Sequence, residues 1–165
     1  MILLVPLLSG GLVALIGTRL LARGIPALHP WSGAPAAAGC GMAAVYLSAG
    51  LAHFLEPQRS GLAAIVPAWA PEPALVVALS GLAELLLAAG LLTPRLRRPV
   101  GWCSAGFLLL VLPANIVAAE GVEHPAAPDT PLLPRLLLQL VFIACSLLAA
   151  RPTPPAPGRG APPRP

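Results

Sequence analysis

The chain has 165 residues, of which 57% are hydrophobic and only 10% are charged, and its formal net charge is +4. Soluble domains carry about 25% charged residues, so this composition excludes an ordinary soluble globular domain. The ten basic residues, all arginines, are scattered among connecting segments without a basic stripe, which argues against nucleic-acid binding.

Five apolar stretches follow one another along the chain, at roughly residues 2–21, 35–55, 73–92, 99–119 and 132–150. Each is long enough to cross the roughly 30 Å hydrocarbon core of a bilayer as a helix. We therefore expect an all-α integral membrane protein.

The first stretch has two interpretations. It resembles a secretory signal peptide in being apolar and N-terminal, yet no positive segment precedes it, and Arg19 and Arg23 come after it. We favour an additional N-terminal transmembrane helix over residues 1–24. The sequence leaves open whether the mature protein retains it.

Two further segments do not read as spans. Residues 56–72 (EPQRSGLAAIVPAWAPE) are too apolar for a hydrated loop and too few to cross, and Pro67 and Pro71 would break a long helix. We predict that this segment lies in the outer membrane interface, the alternative being an ordinary loop. The tail, residues 151–165, holds seven prolines and no apolar run, which predicts disorder.

The arginines predict the orientation of the chain. If all five stretches cross, eight arginines fall on one face and only Arg59 on the other. Because arginine-rich connections stay in the cytoplasm, we predict an outside N-terminus and a cytoplasmic C-terminus in a bacterial inner membrane. The eight are Arg19, Arg23, Arg95, Arg97, Arg98, Arg151, Arg159 and Arg164.

An acidic residue, Glu84, lies near the middle of the third stretch, about 16 Å from its outer end at about 1.5 Å per residue. An acidic side chain at that depth costs roughly 2.5–3.5 kcal/mol. Glu84 must therefore be protonated, be paired, for example with Arg135, or face a polar cavity, and it is the first functional candidate.

Other polar residues share the outer half of the membrane with Glu84 and come from four different stretches. Polar groups in lipid tend to meet inside a helix bundle, so we expect a common polar cluster. Roles that involve no ligand stay open as alternatives. The Arg135 side chain can extend to the lipid headgroups, and the amide side chains can form hydrogen bonds that only join helices. The candidate site residues are His53, Ser80, Glu84, Asn115, Arg135 and Gln139.

The cysteines, Cys40, Cys103 and Cys145, are isolated and have neither a redox-pair nor a metal-ligand spacing. We interpret them as packing residues and expect no metal site. Nothing resembles a nucleophile with its base, a phosphate-binding loop or a haem attachment motif. The sequence therefore leans against a self-contained catalytic activity, and we assign no catalytic residue.

Five segments occur in an informative order: AGLAHFLEP at 49–57, IVPAWAPEPALVV at 65–77, SGLAELLLAAGLLTPRLRRP at 80–99, LPANIVAA at 112–119 and RLLLQ at 135–139. In this order and spacing they resemble the DoxX-like family of small bacterial membrane proteins. The resemblance implies a transmembrane four-helix bundle over residues 35–150, with recurring polar positions at the six candidate residues. One departure is Leu137, where the family typically has proline.

The resemblance also implies a class of function. Relatives in this family are associated with membrane redox or thiol-stress complexes, including a thiosulfate:quinone oxidoreductase. We therefore expect an accessory subunit of a membrane redox system, with a quinone as candidate ligand and the bilayer, membrane redox proteins and a second copy as candidate partners. A small proton or solute carrier that uses Glu84, and a structural membrane scaffold, stay open as alternatives.

The predicted orientation can be tested in a chain whose native cysteines are replaced by serine. A cysteine introduced by Glu123→Cys should react with a membrane-impermeant maleimide in intact cells, because residues 120–131 carry no arginine. A cysteine introduced by Arg95→Cys should react only after the membrane is opened. Equal labelling of both in intact cells would refute the alternation.

Overall fold

A computed structural model describes residue 31, residues 33–128 and residues 130–152. This part of the chain is helical and contains no β-strand. The additional helix predicted at 1–24 and the tail from residue 153 lie outside the described residues. The described helices are α1 (Ala34–Ala52), α2 (Gln58–Ala64), α3 (Pro73–Leu92), α4 (Arg97–Leu110), α5 (Leu112–Glu120) and α6 (Leu132–Ala149).

Four helical segments are long and apolar enough to cross a membrane: α1, α3, α6, and α4 with α5 as one segment, Arg97–Glu120. The all-α class with four candidate spans is thereby confirmed. Helix α3 has the predicted bounds, whereas α1 ends at Ala52 and not at residue 55. Pro57 follows closely, and the residue before a proline avoids helical backbone, so the helix has to end upstream of it.

The four spans form a closed ring. Helix α1 packs against α3 and α6, and α4 packs against the same two helices from the opposite side. The short helix α2 packs on α3. The central cluster of buried residues includes Met42 and Tyr46 from α1, Leu91 from α3 and Phe142 from α6.

The two ends of the bundle are distinct. At one, the Arg97 end, the Arg97 guanidinium lies 5.3 Å from the centre of the Trp31 ring. At the other, the His53 end, α2 meets the connection between α5 and α6 so closely that a Cβ on Gly61 would collide with the Ala126 carbonyl. The connections at 56–72 and 120–131 therefore touch each other.

Helix α2 begins with a local cap. The Ser60 hydroxyl donates to Glu56 Oε2 at 2.7 Å, and the Ser60 amide donates to the same oxygen at 3.3 Å. This hydrogen bond lowers the pKa of the Glu56 carboxyl. Trp69, further along the segment, is 77% exposed. The predicted interfacial segment thus contains a short capped helix, and its position in the interface stays a prediction.

The span Arg97–Glu120 is interrupted at Val111, between α4 and α5. Pro113 has no amide hydrogen to donate to the carbonyl four residues earlier, so a regular ladder cannot continue through this point. Backbone bonds resume on either side, from the Val111 amide to Phe107 and from the Asn115 amide to Val111. The interruption places backbone carbonyls within reach of the neighbouring α6.

Glycines let α1 and α3 approach closely at the His53 end. A Cβ on Gly50 would lie 3.1 Å from the Gly81 carbonyl oxygen, and a Cβ on Gly81 would lie 2.5 Å from the His53 Cβ. Helix contacts in lipid depend on such small residues, because apolar side chains gain little by leaving an apolar solvent. The close approach sets the distance between His53 and the middle of α3.

Gly81→Ala should therefore lower the free energy of unfolding by about 1–3 kcal/mol, as overpacking does. The added methyl group would meet the His53 Cβ. Gly106→Ala is the matched control, because no neighbouring heavy atom lies within 4 Å of a Cβ added there. Thermal unfolding in detergent compares the two, and equal losses would contradict the tight α1–α3 contact.

Candidate functional site

A titratable pair joins α1 and α3. His53 caps α1, and its Nδ1 lies 3.5 Å from Glu84 Oε2, with side-chain exposures of 11% and 13%. The same Nδ1 lies 2.9 Å from the Ala49 carbonyl oxygen. A carbonyl oxygen only accepts hydrogen bonds, so Nδ1 carries a proton, and in the neutral ring Nε2 is the nitrogen that can accept one.

Glu84 is incompletely satisfied. Its Oε2 atom is buried and has no hydrogen-bond partner among the described residues, and the contact to His53 is longer than a good hydrogen bond. Leaving such a group unmet costs about 1–3 kcal/mol. Buried polar atoms without partners are few in native proteins, and each calls for an explanation such as a role in binding.

Ser80, one turn from Glu84 on α3, is bonded within its own helix. Its hydroxyl donates to the Val77 carbonyl at 3.0 Å. The hydroxyl proton is therefore used in this bond within α3, while the hydroxyl oxygen can still accept a hydrogen bond from another group. Ser80 shares a face of α3 with Glu84, and its described hydrogen bond is internal to α3.

The other three predicted residues form a second network, between α5 and α6. The Arg135 guanidinium donates to Asn115 Oδ1 at 3.1 Å, and Asn115 Nδ2 donates to Gln139 Oε1 at 2.7 Å. Gln139 Nε2 donates to the Leu108 carbonyl, beside the interruption after α4. The chain of bonds thus runs from a guanidinium to a backbone carbonyl.

Arg135 is also held by the connection that precedes α6. Its guanidinium donates to the Pro128 carbonyl at 3.2 Å and to the Thr130 carbonyl at 3.3 Å. Gln139 is only 6% exposed. The described contacts of this network are with protein groups, so it joins α4, α5 and α6 and fixes the connection at the His53 end.

The structure thus divides the six predicted residues into two groups and describes no single pocket that all six line. The described titratable neighbour of Glu84 is His53, and a pairing of Glu84 with Arg135, one of the alternatives that the sequence leaves open, stays an expectation. Two outward-facing grooves have volumes of about 390 and 220 Å³. Neither is lined by Glu84 or His53, and of the six only Gln139 contributes to one.

A third polar group was not anticipated from the sequence. The Tyr46 hydroxyl lies 2.7 Å from the Ser104 hydroxyl, which lies 2.7 Å from the Ser146 hydroxyl. Ser146 in turn donates to the Phe142 carbonyl at 2.8 Å. All three side chains are at most 2% exposed. Tyr46 is the single tyrosine of the chain, and a lone tyrosine inside a span, where its hydroxyl needs a partner, was the available signal.

Arg97 differs from its predicted place. It counts among the loop arginines in the sequence, whereas α4 begins at Arg97 and the side chain is 3% exposed. Its Nε donates to the Leu91 carbonyl at 3.2 Å, and its methylenes lie where a side chain on Gly39 would go. A guanidinium can be buried here because a helix-terminal carbonyl and the Trp31 ring face it.

The three cysteines are free thiols. Among the described residues there is no group of three or more histidine, cysteine or acidic side chains that could hold a metal ion. Within the described spans the available chemistry is therefore a carboxyl group, an imidazole, a guanidinium, amides, hydroxyls and three free thiols.

A family model described as a domain of unknown function, DUF8561, matches residues 42–150. The chain belongs to the DUF8561 family. Comparison with curated proteins and with solved structures finds no match. The part matched by DUF8561 contains all six candidate residues and both hydrogen-bonded networks.

Gln139→Leu should lower the free energy of unfolding by about 1–3 kcal/mol, because it leaves the Leu108 carbonyl and the Asn115 amide without their partner. Gln58→Leu makes the same change on an exposed side chain and should stay within about 0.5 kcal/mol. A double-mutant cycle between Asn115 and Gln139 should show a coupling of about 0.6–1.7 kcal/mol. Independent effects of the two changes would rule out the bond.

Proposed function

We propose that this DUF8561 protein is an accessory, noncatalytic subunit of a membrane redox system and that it binds the headgroup of a quinone-class lipophile at His53 and Glu84. The observation that carries the proposal is the buried Glu84 Oε2 atom, which has no hydrogen-bond partner among the described residues. A quinone carbonyl would accept a hydrogen bond from a neutral carboxyl group, and a quinol hydroxyl would donate one to a carboxylate.

The geometry of His53 supports this assignment. Its Nδ1 is committed to the Ala49 carbonyl, which fixes the ring and its tautomer. Nε2 and the Glu84 carboxyl then offer two groups that can each gain or lose a proton. A redox headgroup needs this combination, because its oxygens change from acceptors to donors on reduction.

The surroundings of the pair suit a lipophile. Phe54 and Leu55 follow His53 directly and are 48% and 59% exposed. A hydrophobic tail could therefore stay in the acyl chains while the headgroup meets the pair. The arginine bias would place this end of the bundle in the outer half of a bacterial inner membrane.

The resemblance to the DoxX-like family supports the redox context and a partner protein in the same membrane. The second network supports a noncatalytic role, since Arg135, Asn115 and Gln139 bond to one another or to backbone. These bonds join α4, α5 and α6 to one another.

A second candidate function is proton or solute movement through Glu84. It is favoured by the same buried carboxyl group, which would load and release a proton beside His53. In this case liposomes that contain the protein would show a proton flux that Glu84→Gln abolishes, with no need for a quinone.

The proposal is tested by purifying the full chain from its membranes and measuring retained quinone by mass spectrometry. Binding of a short-chain benzoquinone or naphthoquinone is then followed by thermal shift. Glu84→Gln should weaken binding about 10- to 100-fold, because hydrogen bonds to charged groups are worth about 1.5–3 kcal/mol. Glu120→Gln, at the exposed end of α5, should bind like the natural chain.

Three results would count against quinone binding. The first is that the protein binds neither retained nor added quinone. The second is that Glu84→Gln binds quinone as well as the natural chain does. The third is that Glu84→Gln and Glu120→Gln weaken binding equally. If Glu84→Gln lowers the melting temperature and no ligand that raises it is found, Glu84 serves only the packing of the helices.

A further inference from the structure

The polar side chains that accompany Glu84 have already used their protons in described hydrogen bonds. His53 Nδ1 lies 2.9 Å from the Ala49 carbonyl oxygen, which can only accept, so the proton of the neutral ring is used there. The Ser80 hydroxyl donates to the Val77 carbonyl at 3.0 Å. Both side chains can still accept a hydrogen bond, at Nε2 of the neutral ring and at the Ser80 oxygen.

The described contacts favour the neutral form of the His53 ring. Its Nδ1 is closer to the Ala49 carbonyl oxygen than to Glu84 Oε2, at 2.9 Å against 3.5 Å. An imidazolium paired with the carboxylate would be expected at about 2.7–2.9 Å, the length of a charge-assisted hydrogen bond. Burying an unpaired charge is also unfavourable. Nε2 is therefore an acceptor and adds no donor to the site.

The hydroxyl series of Tyr46, Ser104 and Ser146 has a fixed direction. Ser146 donates its one proton to the Phe142 carbonyl at 2.8 Å. Ser104 must then be the donor in its bond to Ser146, and Tyr46 must be the donor in its bond to Ser104. Tyr46 interacts electrostatically with Glu84. Its proton is nevertheless committed to Ser104, so Tyr46 offers Glu84 only an acceptor oxygen.

Among these described side chains, the proton that a ligand could receive is that of Glu84 itself, and it is present only when the carboxyl group is neutral. A ligand oxygen that only accepts, such as a quinone carbonyl, depends on that neutral form. A quinol hydroxyl can donate to the carboxylate and also to the carbonyl oxygen of the neutral group. The buried Glu84 Oε2 atom, which has no described hydrogen-bond partner, would gain one from the quinol in either form.

We propose that the site at His53 and Glu84 binds the reduced, quinol form of its ligand more tightly than the oxidised, quinone form. The inference rests on the proposed quinone site and adds the oxidation state that this site prefers. A preference of about tenfold corresponds to one hydrogen bond to a carboxylate. Tighter binding of the reduced form raises the midpoint potential of the bound couple, by about 30 mV for each factor of ten in a two-electron reduction.

The preference is tested by titrating the full purified chain, without oxygen, with three forms of one short-chain naphthoquinone. They are the quinone, the quinol and the dimethyl ether of the quinol. The ether has the same aromatic ring as the quinol but no hydroxyl proton to donate. In isothermal titration calorimetry, the quinol should bind about tenfold more tightly than either of the other two forms.

A variant of Glu84 separates hydrogen bonding from general effects on stability. Glu84→Gln replaces an acceptor oxygen with an NH₂ donor, which can bond to a quinone carbonyl. It should weaken quinol binding about tenfold more than quinone binding, so the preference should fall to near equality. Glu120→Gln, at the exposed end of α5, is the matched control and should keep the full preference. Both forms are measured on the same variant, so a general loss of stability cancels in the ratio.

Three results would overturn the inference and leave the quinone site in place. The first is that the quinone binds as tightly as the quinol or more tightly. The second is that the dimethyl ether binds as tightly as the quinol. The third is that Glu84→Gln keeps the full preference. Binding of none of the three forms would contradict the proposed function itself, and the inference would be wrong with it.

Discussion

The structure depends on one constraint of lipid: a polar group at membrane depth has no water to bond and must find its partner within the protein. The hydroxyls of Tyr46, Ser104 and Ser146 meet this constraint by bonding in series, which joins three of the four spans. The Gln139 amide meets this constraint by donating a hydrogen bond to the Leu108 carbonyl, near the interruption between α4 and α5. Hydrophobic matching cannot supply these contacts, because lipid tails are as apolar as leucine. The ring of helices is therefore specified by a small number of polar and small residues.

The same constraint explains what could be predicted from the sequence. Span length follows from bilayer thickness, so α3 and α6 were placed within a residue or two of their observed bounds. Depth along each helix also follows from residue number, which is why Asn115, Arg135 and Gln139 were expected at similar heights, and hydrogen bonds join these three side chains in the structure. Rotation about the helix axis is harder, because helices that are apolar on all sides give little amphipathic signal. The division of the six residues into two groups depends on rotation, and the sequence did not contain it in readable form.

The residues that were missed fail for related reasons. Ser104 and Ser146 look like ordinary small residues, and only their contact with Tyr46 shows that they carry the centre of the bundle. Arg97 looks like a loop arginine because it stands beside Arg98 and Pro99. Its burial required Gly39 on another helix to leave room for its methylenes. Such complementarity between distant positions is a property of the packed structure, and no local sequence pattern predicts it.

The two halves of the bundle have different capacities for change. Toward the Arg97 end, small residues and the hydroxyl series leave no polar atom of Tyr46, Ser104 or Ser146 without a partner, so opening this half would break several buried bonds at once. Toward the His53 end, the span formed by α4 and α5 is interrupted, and the Glu84 carboxyl group has an oxygen with no described hydrogen bond. Local opening follows the regions with the fewest satisfied buried contacts. A ligand that bonds to Glu84 would therefore add a hydrogen bond in the half of the bundle where opening breaks the fewest buried hydrogen bonds. This difference between the two halves is the physical reason to look for function beside His53.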